Sequence, residues 1–166
     1  IGHVHTLYDE MVHVPLIVKL PMGESWDGMK EDLDLQKSLV VRHIDVVPTI
    51  LQVLGQAPMP GQMGTSLLEA KARILVTETH APEAKTDKYA CRDNQLKLIY
   101  TPDEDHFEMF DIVLDPGEKT NVFVERGHER ESWQGLLRDT AERWSRDGAI
   151  EVDASESERL QGLGYL

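Results

Sequence analysis

The sequence predicts a mixed fold in which an α/β segment is followed by a smaller α+β unit. The first half contains amphipathic helices joined to short apolar segments, a pattern typical of an α/β layer. The second half contains short strand-like runs separated by polar turns and then one amphipathic helix, which is typical of an antiparallel sheet covered by a helix. With 166 residues, 40% of them hydrophobic, the chain is long enough for one large core or two small ones.

A helix and a short strand are predicted at the start of the chain. Apolar residues at helical spacing predict a helix over residues 6–13, and Pro15 ends it. The apolar residues 16–20, bounded by Pro21, predict a buried strand that follows this helix. A helix followed by a buried strand is the repeating step of an α/β layer.

A second strand and helix follow a polar stretch over residues 23–37. Residues 38–41 predict a strand, and residues 46–54 predict a helix that ends at Gly55. Asp45 precedes this helix, and its short carboxylate side chain is expected to cap the helix N-terminus. These elements complete the predicted α/β part of the chain.

A change of pattern separates the two predicted units. Residues 55–73, GQAPMPGQMGTSLLEAKAR, are rich in Gly and Pro and show no sustained periodicity, which predicts a boundary. We therefore expect one unit over residues 1–72 and a second over residues 73–166. The second unit is expected to contain four antiparallel strands and a covering helix, over residues 74–79, 88–92, 96–101, 108–111 and 122–146.

Charge and cysteine content narrow the classes of partner. The 17 Lys and Arg residues against 30 Asp and Glu give a formal net charge of −13, and such a field repels the phosphates of nucleic acids and anionic membranes. The single cysteine, Cys91, excludes an internal disulfide. No apolar run approaches the ~20 residues of a membrane span. We therefore expect a globular chain with neither nucleic acid nor a membrane as its partner.

Histidine, cysteine and acidic residues are the candidates for chemistry. His3 and His5 would share one side of an extended segment and could hold a metal or an anion, but the residues alone favour one hydrogen-bonded and one solvated histidine. Cys91 is expected to be a small core residue, since its neighbour Arg92 points to the other face of a strand. The acidic residues 103–105 are expected to form a solvated turn. The residues alone contain no complete catalytic set.

Six segments of the sequence carry a family resemblance. In chain order they are GHVHTLYDEMVHVPLIVKLP, VRHIDVVPTILQVLG, GTSLL, YACRDNQLKLIY, EMFDIVLDPGEKTNV and LQGLGYL. Their sequence, order and spacing resemble the C-terminal part of a bacterial-type sulfatase of the alkaline-phosphatase superfamily. The resemblance implies that residues 1–72 are the end of the sulfatase α/β catalytic domain. It also implies that residues 73–166 form a small antiparallel sheet covered by a C-terminal helix.

The resemblance also implies roles for individual residues. His3 stands where relatives have the His or Lys that contacts the sulfate, which reverses the interpretation of the histidine pair. Glu78 and His80 resemble the E-T-x-x-P loop that some members turn toward the mouth of the substrate pocket, although a strand followed by a solvated turn is an equal alternative. Cys91 does not match the C-x-[PA]-x-R sequence whose cysteine becomes formylglycine. We therefore expect no catalytic residue and no metal ligand of the family in this chain.

Activity is expected only in a longer parent protein. In the family, formylglycine and a calcium-type divalent cation, both held upstream, support hydrolysis of the ester of a sulfated small molecule or glycan. We expect this chain to be a fragment that begins just after the metal-binding loop and is inactive alone. Such a fragment is expected to self-associate through residues 1–60, where apolar surface has lost its neighbours. The compartment stays open, with a periplasmic or secreted parent as one option.

Two alternatives to a sulfatase fragment stay open. The first is a phosphodiesterase or phosphonate hydrolase of the same superfamily, since their C-terminal halves overlap in pattern. The second is a non-catalytic interaction module that keeps the C-terminal fold without the chemistry. An upstream coding sequence with C-x-[PA]-x-R would favour the sulfatase, and a start codon near Ile1 would favour the module.

Overall fold

The computed structural model describes residues 6–23, 26–80 and 86–147. Short α-helices and one longer α-helix surround a single four-stranded sheet in this part of the chain. The helices are α1 Asp9–Val12, α2 Asp27–Gln36, α3 Val46–Val53, α4 Phe123–Arg126 and α5 Glu131–Asp147. The strands are β1 Leu75–Thr79, β2 Lys88–Arg92, β3 Leu96–Thr101 and β4 His106–Asp111.

The sheet is the predicted antiparallel meander, with strand order β1-β2-β3-β4. Successive side chains of each strand point to opposite faces of the sheet. In β3 the side chains on both faces are buried along the whole strand. The β2–β3 turn is fixed by Asp93, whose Oδ1 accepts the backbone N–H groups of Gln95 at 2.8 Å and Leu96 at 2.7 Å. The four strands and their antiparallel order confirm the predicted sheet.

One face of the sheet packs against α5. The shared core on this face joins strand residues to two residues of the helix and contains Tyr89, Cys91, Leu96, Leu98, Tyr100, Phe107, Met109, Trp133 and Leu137. The single helix predicted over residues 122–146 is instead divided into α4, a 3-10 turn over Gly127–Arg130, and α5. At the division, a Cβ added to Gly127 would lie 3.0 Å from the Phe123 ring, so the missing side chain leaves room for that ring to stack on Phe107.

The opposite face packs against the N-terminal segment. Leu7 is only 2% exposed and lies in a cluster with Ala90, Ile99, Phe110 and Ile112. The prediction of a helix over residues 6–13 belonging to the α/β layer is therefore wrong in length and in placement. Only α1 is helical, because Leu7 extends onto the antiparallel sheet before the helix begins.

The first half departs from the prediction in its strands. Residues 16–20 and 38–41 are not strands, since no neighbouring strand pairs with them among the residues described. The polar stretch between them contains α2, which buries no residue and so lacks the apolar stripe that would have predicted it. By contrast, α3 confirms the predicted helix over residues 46–54. The division of the chain at residue 72 stays a prediction, and the contacts of Leu7 cross it.

Candidate functional site

Four charged side chains meet on the sheet face that packs against the N-terminal segment. We call them the Lys97 network, which consists of Asp9, Arg92, Lys97 and Glu118. Lys97 lies on β3 between Leu96 and Leu98, but its side chain points to the opposite face and is only 1% exposed. A buried lysine requires negative partners, because an isolated ammonium group loses its hydration there.

The partners of Lys97 come from two distant parts of the chain. Its Nζ lies 2.8 Å from Asp9 Oδ1 and 2.8 Å from Glu118 Oε1. Arg92, paired with Lys97 across the β2–β3 ladder, donates to both carboxylate oxygens of Asp9 at 2.9 and 2.7 Å. The backbone N–H of Asp9 donates in turn to Glu118 Oε2. Two cations and two anions thus neutralise one another, with Lys97 and Glu118 in contact as an ion pair that lacks hydrogen-bond geometry.

Local backbone geometry places the two acids. Asp9 is the first residue of α1, where a carboxylate also interacts favourably with the helix N-terminus. Glu118 follows β4 in a tight turn and adopts a left-handed conformation with φ of 47°, and its N–H donates to the carbonyl oxygen of Asp115. Its side chain is only 3% exposed. The turn therefore directs a long acidic side chain back under the N-terminal segment.

The network fixes the ionisation state of Asp9. Burial by itself would raise the pKa of this carboxyl, but the Lys97 ammonium and the Arg92 guanidinium outweigh it and hold the pKa below its ordinary value. His13 Nδ1 lies 3.7 Å from Asp9 Oδ2 at the exposed edge of the network. Asp9 is therefore a carboxylate at neutral pH and acts as an ion-pair partner, not as a proton donor.

Tyr8 adds a second polar attachment beside the network. Its hydroxyl donates to Glu108 Oε1 at 2.8 Å, and its ring packs edge-on against Phe110 with centroids 5.7 Å apart. Burial, followed by the bond to Glu108, raises the pKa of Tyr8 to about 12. The hydroxyl therefore keeps its proton at neutral pH and serves as a donor that holds the segment to β4.

Asp45 is the centre of another buried polar cluster. Its side chain is fully buried and accepts the backbone N–H groups of Arg42 at 2.8 Å and Thr65 at 2.9 Å. It also pairs with the guanidinium groups of Arg42 and Arg73. The expectation that Asp45 caps the following helix with its side chain is wrong, because the carboxylate instead ties residues before and after that helix together.

The N–H groups and arginines around Asp45 also control its protonation. Burial would raise the pKa of Asp45, but the two backbone N–H groups and the two arginines outweigh burial and hold the pKa below its ordinary value. Next to this cluster, Gly64 lies so close to Ile44 that an added Cβ would be 1.9 Å from its carbonyl oxygen. The GTSLL segment therefore needs glycine for a close backbone approach.

The residues predicted to contact substrate are only partly described. His3 lies outside the described residues. Glu78 is half-buried on β1 opposite Tyr89, and exposed His80 follows the strand. Because alternate residues share a face, Glu78 lies on the α5 face of the sheet, whereas the Lys97 network lies on the other. The substrate roles of all three residues stay predictions.

His80 is held by contacts with three side chains. Its Nδ1 lies 3.2 Å from a carboxylate oxygen of Asp87, and its ring contacts Tyr89 edge-on at a centroid distance of 5.9 Å. The ring of Trp144, 49% exposed at the end of α5, lies 5.2 Å away. These contacts orient the imidazole at the rim of the sheet, where it stays accessible.

The remaining candidates have structural roles. Cys91 is 1% exposed in the α5-facing core, and burial raises the pKa of its thiol to about 12, which confirms the expected small core residue. Residues 103–105 are exposed, as expected for a solvated turn, and Asp105 pairs with Arg138 at 2.8 Å. Among the residues described, no group of three or more His, Cys, Asp or Glu side chains could hold a metal ion. None of the described helices is long and apolar enough to span a membrane.

A broad groove with a mixed polar and apolar lining lies beside these clusters. A cavity of about 880 Å³ opens between residues 13–23 and α2, and its lining includes Leu16, Val18 and Trp26. Apolar side chains of the same extended segment also face outward, with Ile17 90% exposed and Met22 99% exposed. Large apolar side chains of this segment are therefore left exposed in the described part of the chain.

Solved structures define the class of this fold. A candidate sulfatase from Bacteroides thetaiotaomicron superposes with a TM-score of 0.53 at 22% identity, over 67% of this chain and 27% of that one. A 2-O GAG sulfatase superposes with the same TM-score of 0.53 at 22% identity, over 66% of this chain and 27% of that one. The chain thus shares part of its fold with these two sulfatases.

The family follows from the sequence match. Residues 4–143 match the family described as N-sulphoglucosamine sulphohydrolase, C-terminal. The match covers most of the chain, and the chain belongs to this family of sulfatase C-terminal domains.

Curated relatives give the same assignment. Arylsulfatase K from Homo sapiens is 32% identical over 136 residues, and arylsulfatase K from Mus musculus is 30% identical over 136 residues. Each alignment covers 72% of this chain but only 24% and 23% of the relative, so the chain spans about a quarter of the length of these proteins. Both relatives are animal proteins, so they do not support the expectation of a bacterial type.

The polar clusters were not predicted as sites, although a signal for them was present. Asp9, Arg92, Lys97 and Glu118 all lie within segments that carry the family resemblance. Lys97 also shares a strand face with Ile99, so alternation alone places a lysine on an apolar face. A lysine at such a position indicates a buried acidic partner. The sequence does not identify which of the 30 Asp and Glu residues is that partner.

Proposed function

We propose that this chain is the C-terminal part of a sulfatase that hydrolyses a sulfate ester, and that it supplies substrate contacts and positioning to a site completed by upstream residues. The proposal rests on the family match over residues 4–143 and on relatives that are arylsulfatases. The observation that carries it is the Lys97 network, because four residues from three separate segments of the family pattern converge in one cluster.

The nucleophile and the metal are proposed to lie upstream. Formylglycine would supply the nucleophile, and calcium or another divalent cation would polarise the sulfate oxygens when bound. Cys91 fits neither role, since its thiol is buried and protonated. The described residues hold no metal-binding group of three or more side chains, so we derive no step of the reaction through the metal.

The proposed contribution of this chain to the reaction is electrostatic. A positively charged or hydrogen-bond-donating His3 would contact the sulfate and stabilise the charge that develops on its oxygens. Glu78 and His80 are proposed to contact the remainder of the substrate at the mouth of the pocket. His80 is accessible for this role, because its ring is held by Asp87 and Tyr89 while its edge stays exposed.

A sulfated small molecule or glycan is the proposed substrate class. The family takes its name from an enzyme of N-sulphoglucosamine, and one of the structural neighbours is a 2-O GAG sulfatase. Which ester is cleaved is set by residues around the pocket mouth, and Glu78 and His80 are the described candidates. Phosphodiesterases and phosphonate hydrolases of the same superfamily have a similar C-terminal pattern. A phosphate ester is therefore the alternative substrate that an experiment has to exclude.

The test compares this chain with a longer protein that includes the upstream region. The purified chain should not hydrolyse an aryl sulfate or an aryl phosphate, whereas the longer protein should hydrolyse the sulfate. In the longer protein, His3→Ala should lower the rate of the chemical step by about 10²- to 10³-fold, as removal of one oxyanion-stabilising donor does. His128→Ala is the matched control, since His128 is exposed on the turn over Gly127–Arg130 and is not a member of the Lys97 network.

The outcomes separate the possible functions. Sulfate hydrolysis by the longer protein, lost in His3→Ala and kept in His128→Ala, supports the proposal. A preference for aryl phosphate would indicate a phosphodiesterase or phosphonate hydrolase instead. Hydrolysis by this chain alone, persisting through repeated purification, would contradict an upstream nucleophile.

A further inference from the structure

We infer that the extended segment over residues 14–22 is an interaction surface for the upstream part of the proposed longer protein, and that residues 16–20 pair there as a β-strand with a strand of that part. We call residues 14–22 the docking segment. Its role requires that the longer protein exists, but it does not require that this protein hydrolyses a sulfate ester. The role is therefore separate from the reaction proposed above.

The docking segment is apolar and exposed. Every second residue is a large apolar one, the spacing that places side chains on one face of a strand: Val14, Leu16, Val18, Leu20 and Met22. These side chains line the groove beside α2, yet Leu16 and Val18 are still 48% and 46% exposed. Ile17 does not line the groove and is almost fully exposed. Clustered apolar side chains on one exposed segment mark a surface that another part of a protein covers.

The backbone of the docking segment is unpaired. No backbone hydrogen bond joins residues 14–22 to another described residue. Pro15 and Pro21 lack an N–H group, so they limit a paired strand to the five residues 16–20 between them. An extended segment with unpaired N–H and C=O groups is a template to which another strand can add. The described sheet contains only β1 to β4, so the partner strand comes from outside the described residues.

The upstream part of the longer protein is the partner that these observations favour. The chain spans only 24% and 23% of the two arylsulfatase K relatives, so most of a protein of that length is available to cover the docking segment. A strand linked in the same chain acts at an effective concentration of the order of millimolar, whereas a second copy acts at the concentration of the protein. The formal net charge of −13 on each copy also opposes the pairing of two copies. A second copy therefore occupies the segment only where the upstream part is missing.

The side chains of the docking segment define the chemistry of the partner. The groove-lining residues and Ile17 require apolar cover on two sides, which is typical of a strand within a sheet that is covered on both faces. Lys19 is the only charged residue of the segment, and its long stem lets the ammonium group reach water. The partner is therefore an apolar strand accompanied by a second apolar surface that covers Ile17.

The first experiment measures amide hydrogen exchange at residues 16–20 in the 166-residue chain and in the longer protein. In the chain, diluted until it is monomeric, these amides should exchange as fast as those of an unstructured peptide. In the longer protein their exchange should slow by about 100-fold or more, because each opening then breaks the new strand pairing. The amides of β3, which is paired on both sides, are the reference that is protected in both proteins.

Three results of this experiment would overturn the interface. Fast exchange in the longer protein would show that the upstream part does not cover residues 16–20. Slow exchange in the monomeric chain would show that the segment is covered from within the chain. Protection in the longer protein that disappears on dilution would identify a second copy as the occupant.

The second experiment places a charge at the centre of the docking segment. In the longer protein Ile17→Lys should lower the urea midpoint of unfolding by about 1 M or more, because the new ammonium group loses its hydration at the interface. Val124→Lys is the matched control and should leave the midpoint unchanged, since Val124 is an equally exposed apolar residue on α4. In the monomeric 166-residue chain, neither substitution should change the midpoint. Ile17→Ala serves if Ile17→Lys does not fold, and it should shift the midpoint in the same direction. Equal midpoints for the Ile17 and Val124 variants of the longer protein would overturn the interface.

The two experiments separate the interface from the proposed function, because neither of them measures hydrolysis. A longer protein that protects residues 16–20 but is inactive on sulfate esters supports the interface and overturns the proposed function. An active longer protein in which these amides exchange fast overturns the interface alone.

Discussion

Replacement of Asp45 by asparagine should be one of the most destabilising conservative changes in this chain. The carboxylate is fully buried and accepts two backbone N–H groups and two guanidinium groups. Asparagine keeps the shape but presents an NH₂ group where acceptors are required. At least one buried N–H donor therefore loses its partner, and both arginines lose their counter-charge.

The expected loss follows from these contacts. Removal of one member of a buried ion pair costs about 3–5 kcal/mol. Arg42 and Arg73 are 33% and 24% exposed and can reach water, which places the expected change in the free energy of unfolding at the lower end, about 3 kcal/mol. Against a total stability of about 5–15 kcal/mol, the variant should fold but unfold at clearly lower denaturant concentration.

The assay is urea unfolding of the purified chain, followed by circular dichroism. Asp34→Asn, an exposed change on α2, removes the same charge and should shift the free energy of unfolding by less than about 0.5 kcal/mol. A loss at Asp45→Asn as small as that of the control would refute the assignment of Asp45 as a buried structural centre.

The effect of Asp45→Asn should also depend on pH. Since the folded-state pKa of Asp45 is below its ordinary value, its ionised form contributes stability that is complete above the unfolded pKa of about 3.9. That contribution is lost as the pH falls through the folded-state pKa. The difference between the parent chain and Asp45→Asn should therefore be largest at neutral pH and shrink in acid. A difference that is constant with pH would mean that shape, not charge, matters at this position.

Three further predictions follow from burial and exposure. Gly64→Ala should lower the free energy of unfolding by about 1–3 kcal/mol in the same urea assay, because the new Cβ overlaps the Ile44 carbonyl oxygen. The control is Gly135→Ala in α5, where the new Cβ meets no atom within 4 Å and should stabilise the chain by about 0.5–1 kcal/mol. The Cys91 thiol should not react with a disulfide reagent in the folded chain at mildly alkaline pH and should react once guanidinium unfolds it; fast reaction in the folded chain would contradict its burial. The chain should self-associate through its exposed apolar segment, so light scattering should show species larger than a monomer that Ile17→Lys reduces and Val124→Lys, an equally exposed position, does not; a monomer at all concentrations would contradict this.

The sequence predicts elements that are defined by local pattern. The four strands follow from alternation and polar turns, and α3 follows from its apolar stripe. Residues 16–20 carry a strand-like composition, but a strand requires a hydrogen-bonded neighbour, and none of the described strands lies beside them. The prediction failed there because the composition of one segment does not show whether a neighbouring strand is available to pair with it.

The polar clusters depend on contacts between distant residues, which periodicity does not reveal. Asp9 is 83 residues from Arg92 and 88 from Lys97 in the sequence, and Asp45 is 28 residues from Arg73. The family pattern includes most of these residues but does not state which of them touch. The sequence could therefore identify the residues as members of a motif while their pairing required the three-dimensional structure.

Two aspartates, the fully buried Asp45 and the half-buried Asp9, account for part of the family resemblance. Asp9 and Asp45 each hold two cationic side chains and a segment distant in sequence, and Gly64 is needed for a close backbone contact. None of these roles involves a substrate, a nucleophile or a metal. Residues with such packing roles support the fold, and their presence does not by itself establish the chemistry. The match over residues 4–143 is therefore evidence for the sulfatase fold first, and the comparison of the short and longer proteins is the test of the activity.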